Sequence, residues 1–236
     1  MCTVTFLPLP NHGFLLTQNR DEHHTRRLAI PPSEQNFRVN GFVSPLDEQG
    51  GGTWIASNEK FSLCLLNGGF VKHKHQPPYR HSRGLVLVDF FSLEDIDAFY
   101  RQYNVDQLEP FTLLIVEHAS RRMVEIVYDG KQLFLKEINS EQAHIWSSTT
   151  LYSIEQREQR KVWFANWLNE HMLFRQEDIL DFHQYVGEEE EGIQINRDSI
   201  LFTVSLTSIF KSESDIRMYY KDFIQDKLAT VAIKSE

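Results

Sequence analysis

The sequence predicts an α+β protein of antiparallel sheets with segregated helices, and three observations carry that reading. Short runs rich in β-branched and aromatic residues alternate apolar with polar and are bounded by turn-forming residues. Two longer stretches, near 84–103 and 153–185, repeat their apolar residues at helical spacing instead. The order of elements is strands, helices, strands, helices, strands, without the repeating unit of a parallel sheet. Two such sheets, packed face to face and covered by helices, make a four-layer αββα sandwich.

Residues 3–9 alternate, 8–13 read as a turn and 14–19 as a second strand, so the chain opens with a hairpin. Residues 28–52 contain Pro31-Pro32, Pro45 and Gly50-Gly51-Gly52 with weak periodicity, which predicts an extended covering loop. The runs 53–56 and 61–66, joined by a turn at 57–60, predict a second hairpin. The polar, His- and Pro-containing stretch 72–83 reads as a surface loop, followed by helices over 84–91 and 93–103, broken near Ser92. Turns at Ala119-Ser120 and Asp129-Gly130 separate strands 111–117, 122–128 and 132–138, the pattern of a meander. A further strand is expected at 144–148. The helix predicted over 153–172 shows Ile154, Trp163, Trp167, Leu168 and Met172 as its apolar face, and a second helix covers 176–185. Self-repulsion makes Gly187-Glu188-Glu189-Glu190-Glu191-Gly192 a solvated loop. The runs 200–210 and 215–221 form a final hairpin.

The chain of 236 residues, 41% of them hydrophobic, has enough apolar material for one domain spanning 1–236 with a substantial core. A formal net charge of −9, with basic residues scattered outside 72–83, argues against nucleic acid as a partner. No apolar run approaches the roughly 18 residues that span a bilayer. The first ten residues lack the positive and long apolar regions of a signal peptide, which leads us to expect residue 2 in the mature protein. The two cysteines, Cys2 and Cys64, read as free thiols in a reducing, cytoplasmic compartment.

Cys2 carries the first chemical signal. Removal of Met1 leaves a thiol and an α-amine on one residue, and an amine titrating near pKa ≈ 7.7–8.0 can accept the thiol's proton near neutrality. The bland alternative is a small residue beside a start codon. The second signal is Asn19-Arg20-Asp21-Glu22, at the end of the strand that pairs with the strand after Cys2. There Asp21 can hold the α-ammonium, and Arg20 can bind a carboxylate or pair with Asp21. Asn19 or Glu22 can fix the surrounding backbone, although such a cluster can also be a polar turn.

With Met1-Cys2-Thr3, Asn19-Arg20-Asp21-Glu22, Gly51-Gly52-Thr53-Trp54 and Leu63-Cys64-Leu65-Leu66-Asn67, the chain resembles the Transport and Golgi organisation protein 2 family, also called the NRDE family. These anchors cover roughly the first 70 residues. That family in turn resembles the N-terminal nucleophile hydrolases of the bile salt hydrolase and penicillin V acylase type, with an αββα fold and activity on non-peptide amides. Residue by residue, the resemblance implies Cys2 as nucleophile and base, Asp21 as its charge partner and Asn67 as an oxyanion donor. A side-chain N–H aimed at an oxyanion is worth about 2.7–4 kcal/mol in a dry site. Gly68, after Asn67, leaves room for a substrate, and Asn19 and Arg20 complete the expected site.

The departures are equally specific. Where the amidases carry a second oxyanion asparagine, this chain has Ile145-Trp146-Ser147-Ser148, with Ser148 offering a hydroxyl. Where they carry a late arginine, it has Thr203-Val204-Ser205-Leu206-Thr207-Ser208, and Arg197 and Arg217 lie only nearby in sequence.

Trp54 reads either as a pocket wall or as packing, and Cys64 as core. His23, His24, His73, His75 and His81 lack a ligand pair at structural zinc spacing, so no metal is expected. The 72–83 cluster reads as a solvated loop or as an entrance for an anionic substrate. Together these features predict a cofactor-free hydrolase-like protein acting on a small molecule, with a homo-oligomer compatible with the sequence. The alternative is a non-catalytic carrier for an apolar small molecule, lipid-like or haem.

Overall fold

A computed structural model describes residues 3–35, 41–188 and 190–234. In chain order the first half comprises β1 (Thr3–Pro8), β2 (Phe14–His23), β3 (Ile30–Gln35), β4 (Phe42–Leu46), β5 (Ile55–Ser57), β6 (Phe61–Asn67), α1 (Gly84–Phe90), α2 (Ile96–Gln102) and β7 (Phe111–Glu117). The second half comprises β8 (Met123–Tyr128), β9 (Leu133–Ile138), β10 (His144–Ser147), α3 (Ile154–Glu170), α4 (Gln176–Tyr185), β11 (Asn196–Arg197), β12 (Leu201–Lys211), β13 (Ile216–Asp222) and β14 (Lys227–Ala232). These elements divide between two compact units, residues 1–26 with 141–232 and residues 27–140 with 233–236. Each unit holds one antiparallel sheet and two helices, the two-sheet α+β architecture predicted from the element order. Among the described residues, no helix is long and apolar enough to cross a membrane.

In the first unit the strand order is β10-β1-β2-β12-β13-β14, with β11 paired to β12. The opening hairpin turns through Asn11 and His12, both at positive φ, and closes with the Leu9 amide donating to the Gly13 carbonyl at 2.8 Å. Its register pairs Thr3 with Asn19 and Val4 with Gln18. Strand β2 runs on to His23, beyond the expected end at residue 19, because β12 pairs along its whole length from Phe14↔Lys211 to His23↔Leu201. The polar motif at 19–22 therefore lies within a strand, and its side chains alternate between faces.

One face of this sheet meets α3 and α4. Leu7 and Leu15 pack there with Phe164 and Trp167 of α3, Ile179 and Phe182 of α4, and Ile193. Helix α3 starts at a reciprocal capping box. The Ser153 hydroxyl accepts the Gln156 amide at 3.2 Å, and the Gln156 side chain accepts the Ser153 amide at 3.0 Å. Arg160, Phe164 and Trp167 are the buried residues of α3, with Trp163 and Leu168 partly buried against the same core, so the predicted stripe holds in its middle and is corrected at its ends. Ile154 and Met172 lie at the helix margins, 65% and 94% exposed, and the inward position between them is filled by an arginine. A further strand, β14, follows the hairpin expected to be last.

In the second unit the order is β3-β4-β5-β6-β7-β8-β9. The region expected to be a covering loop contains β3 and β4. Pro31 and Pro32 fall on an edge strand, where the missing amide hydrogen is tolerated, and the pairing shifts register between Ile30 and Ser33. The 84–103 stretch does form two helices, and α1 is almost wholly buried. Phe90 sits edge-on to Phe61 with centroids 5.1 Å apart, and Phe91 following the helix stacks on Phe42 at 4.5 Å. Gly52 permits this packing. A Cβ there would lie 2.4 Å from the backbone carbon of Gly84, and the Thr53 amide donates to the Gly84 carbonyl at 3.2 Å.

Candidate active site

Strand alternation sorts the motif at residues 19–22 into two sets. Asn19 and Asp21 share the helix-facing side of β2 with Thr17, and Thr3 and Thr5 lie opposite them on β1. Arg20 and Glu22 face the other way. Cys2 lies outside the described residues; β1 begins at the residue after it.

Asp21 is buried, and each of its carboxylate oxygens accepts a hydroxyl. The Tyr152 hydroxyl donates to Oδ2 at 2.7 Å, and the Thr203 hydroxyl donates to Oδ1 at 2.5 Å. The Thr203 Oγ1 itself accepts the Ile195 amide at 3.0 Å, which turns its own hydrogen toward Asp21. Tyr152 occupies the position before the α3 cap. It is delivered by a turn in which its amide donates to the Ser148 carbonyl at 3.2 Å, while the Ser148 and Thr150 hydroxyls meet at 2.9 Å. The predicted substrate-side residue Ser148 is thus the buried start of the turn that presents Tyr152 to Asp21.

Asn19 is fully buried. Its amide nitrogen donates to the His183 carbonyl at 3.0 Å and the Ile193 carbonyl at 2.9 Å. Its carbonyl oxygen then faces His183 Nδ1 at 3.0 Å, so Nδ1 carries the imidazole hydrogen and Nε2 accepts the Thr5 hydroxyl at 2.8 Å. Both ring nitrogens are matched to the neutral form, and complete burial pushes the His183 pKa down to about 3.

On the opposite face, Arg20 is buried, with Nη2 3.4 Å from the Glu22 carboxylate. Tyr220, on β13, is pushed up to about 12 by burial and by the charge of Asp222, with the Ser205 hydroxyl and the Arg20 charge pulling the other way. Of the two arginines noted in the sequence, Arg197 lies with its guanidinium carbon 5.4 Å from the Tyr152 ring centroid. Arg217 instead covers Phe210 and pairs with Asp215 at 3.7 Å.

The second unit holds Trp54, Asn67 and Gly68. Trp54 is 1% exposed, and its carbonyl accepts the Leu65 amide at 2.8 Å. Asn67 ends β6 opposite Phe111 and is half-buried. Gly68 has φ +95°, a conformation that itself calls for glycine, and its carbonyl accepts the Thr112 hydroxyl at 2.9 Å. Cys64 is core, and burial pushes its thiol well above the ordinary value. His73 and His75 converge on one oxygen of Glu109, at 3.0 and 2.9 Å, while Arg83 meets the other at 3.0 Å. Burial works to raise the Glu109 pKa, but Arg83 and the two histidines outweigh it and hold it below the ordinary value. Among the described residues, no group of three or more histidine, cysteine or acidic side chains is arranged to hold a metal.

Sequence reasoning did not single out Tyr152, Thr203, His183 or Arg160. Two signals were available: Ser153-Ile154-Glu155-Gln156 has the capping-box spacing that places Tyr152 just outside a helix, and His183 interrupts the apolar face of α4.

Fold and site together define an α+β protein of two antiparallel sheets, with a buried, doubly hydrogen-bonded aspartate on the strand paired to its amino-terminal strand. The sequence matches the Transport and Golgi organisation 2 family over residues 1–228, and the chain belongs to that family. No curated protein matches it.

Proposed function

We propose that this protein is a cytoplasmic, N-terminal-nucleophile-type hydrolase in which Cys2, freed by removal of Met1, attacks a non-peptide amide or a related acyl group. The observation that carries the reading is Asp21, a buried carboxylate whose two oxygens are oriented by Tyr152 and Thr203. It sits two residues beyond Asn19, the partner of Thr3, and Thr3 is bonded to Cys2. In this reading the residue-2 amine takes the thiol's proton and the thiolate adds to the acyl carbon. The amine leaving group departs with that proton, giving a thioester, and water then releases the carboxylic acid and restores the thiol. Asp21 holds the α-ammonium between these steps. Arg20, Asn19 and Ser148, which belong to the same unit as Asp21, are the supporting residues of this reading.

Intact-mass measurement of the purified protein is expected to show Met1 removed. Incubation with acyl p-nitroanilides is expected to give a Cys2-linked acyl adduct and turnover, both lost in Cys2→Ala. Retention of Met1 in active protein, or unchanged turnover in Cys2→Ala, overturns the reading. Binding of an apolar small molecule that survives Cys2→Ser, without adduct formation, replaces it with the carrier alternative.

A further inference from the structure

We propose that Tyr152 is a positioning residue for the amino-terminal site, fixing the Asp21 carboxylate through its hydroxyl while two arginines hold its ring. The proposal rests on the reading of Cys2 and Asp21 given above.

A carboxylate bonded through one oxygen can still rotate about its Cβ–Cγ bond. With Tyr152 on Oδ2 and Thr203 on Oδ1, that rotation is arrested and the remaining acceptor directions are fixed. The phenol ring is held as firmly. Arg160 places its guanidinium carbon 3.6 Å from the ring centroid and Arg197 places its own at 5.4 Å. Arg160 is 0% exposed and donates to the carbonyls of Gln156 at 3.2 Å, Glu191 at 3.0 Å and Gly192 at 2.6 Å. Arg197 donates to the carbonyls of Glu190 at 3.0 Å and Leu151 at 3.4 Å. The acidic loop thus has a second character. Its described glutamates are exposed at the side chain, but its backbone carbonyls anchor the arginines that grip Tyr152.

Packing alone does not require a tyrosine here, because a phenylalanine ring offers the same face to both guanidiniums. What the hydroxyl adds is the bond to Asp21, and two cations against the ring strengthen it as a donor.

The test reads the rate of Cys2 alkylation by iodoacetamide against pH in the full-length protein, quantified on the N-terminal peptide by mass spectrometry. The buried Cys64 serves as the silent control. Asp21→Asn is expected to displace the apparent pKa of the profile by about one unit, and Tyr152→Phe to displace it in the same direction by about half as much. Incorporation of 3-fluorotyrosine at position 152, which keeps the ring packing and strengthens the hydroxyl as a donor, is expected to move the profile the opposite way. A purely structural tyrosine lowers the melting temperature when changed to phenylalanine but leaves the profile of the folded protein in place. Profiles for Tyr152→Phe and the fluorotyrosine protein that superimpose on the unaltered one, while Asp21→Asn moves, overturn the role of Tyr152 alone. A profile also unmoved by Asp21→Asn refutes the Cys2–Asp21 pairing, and the positioning role falls with it.

Discussion

Acidification below pH 7 should weaken the fold through His183, by an amount that follows from its surroundings. In the native protein this imidazole is fully buried, donates to Asn19, accepts from Thr5 and titrates near 3, against an ordinary value of 6.5. Between those two values the unfolded chain binds a proton that the folded protein refuses. Stability is therefore complete above about pH 7 and is lost as pH falls toward 3. At 1.36 kcal/mol per unit, the loss between pH 7 and pH 5 comes to about 2 kcal/mol, of which about a third appears above pH 6. Urea denaturation at pH 7, 6 and 5 measures it. His183→Gln removes the titrating group, so its stability should be lower at pH 7 but flatter with pH by about 2 kcal/mol over the same interval. An unchanged pH dependence in His183→Gln, or a native-state imidazole resonance for His183 that titrates near its ordinary value, would refute the reasoning.

Two further substitutions probe packing. Gly52→Ala places a methyl 2.4 Å from the backbone of Gly84, so thermal denaturation should report a destabilisation of about 1–3 kcal/mol, with α1 displaced; a melting temperature within a degree of the unaltered protein would contradict the close approach. Arg160→Leu strips donors from three carbonyls and a cation from the Tyr152 ring, with an expected cost of about 2–4 kcal/mol in chemical denaturation. A neutral result there would mean that the loop carbonyls find water without penalty.

Much of the strand and helix order was legible because the alternation that marks a strand and the spacing that marks a helix are local properties. The meander of β7, β8 and β9 and the helix α4 emerged at nearly the expected bounds. Strand β3 was not legible within 28–52, since Pro31 and Pro32 argue against a central strand and the edge position that admits them is set only by neighbours. The face of α3 was legible at Trp163, Trp167 and Leu168 but not at Arg160, for a related reason. An arginine occupies the inward position, acceptable only because the 187–192 loop supplies carbonyls to it.

For the candidate site, the sequence by itself determined the cluster at residues 19–22, the cysteine after the initiator and the glycines at 51–52 and 68. Each is a matter of residue type and position along the chain. Tertiary structure decided how those residues are used. Pairing with β12 carried β2 through the motif and so sent Asp21 and Arg20 to opposite faces. Residues more than 130 positions away completed the carboxylate's surroundings, Tyr152 and Thr203 lying 131 and 182 residues from Asp21. The physical reason is that a buried carboxylate must find its hydrogen-bond donors wherever folding brings them, and no local pattern records which distant hydroxyls those will be.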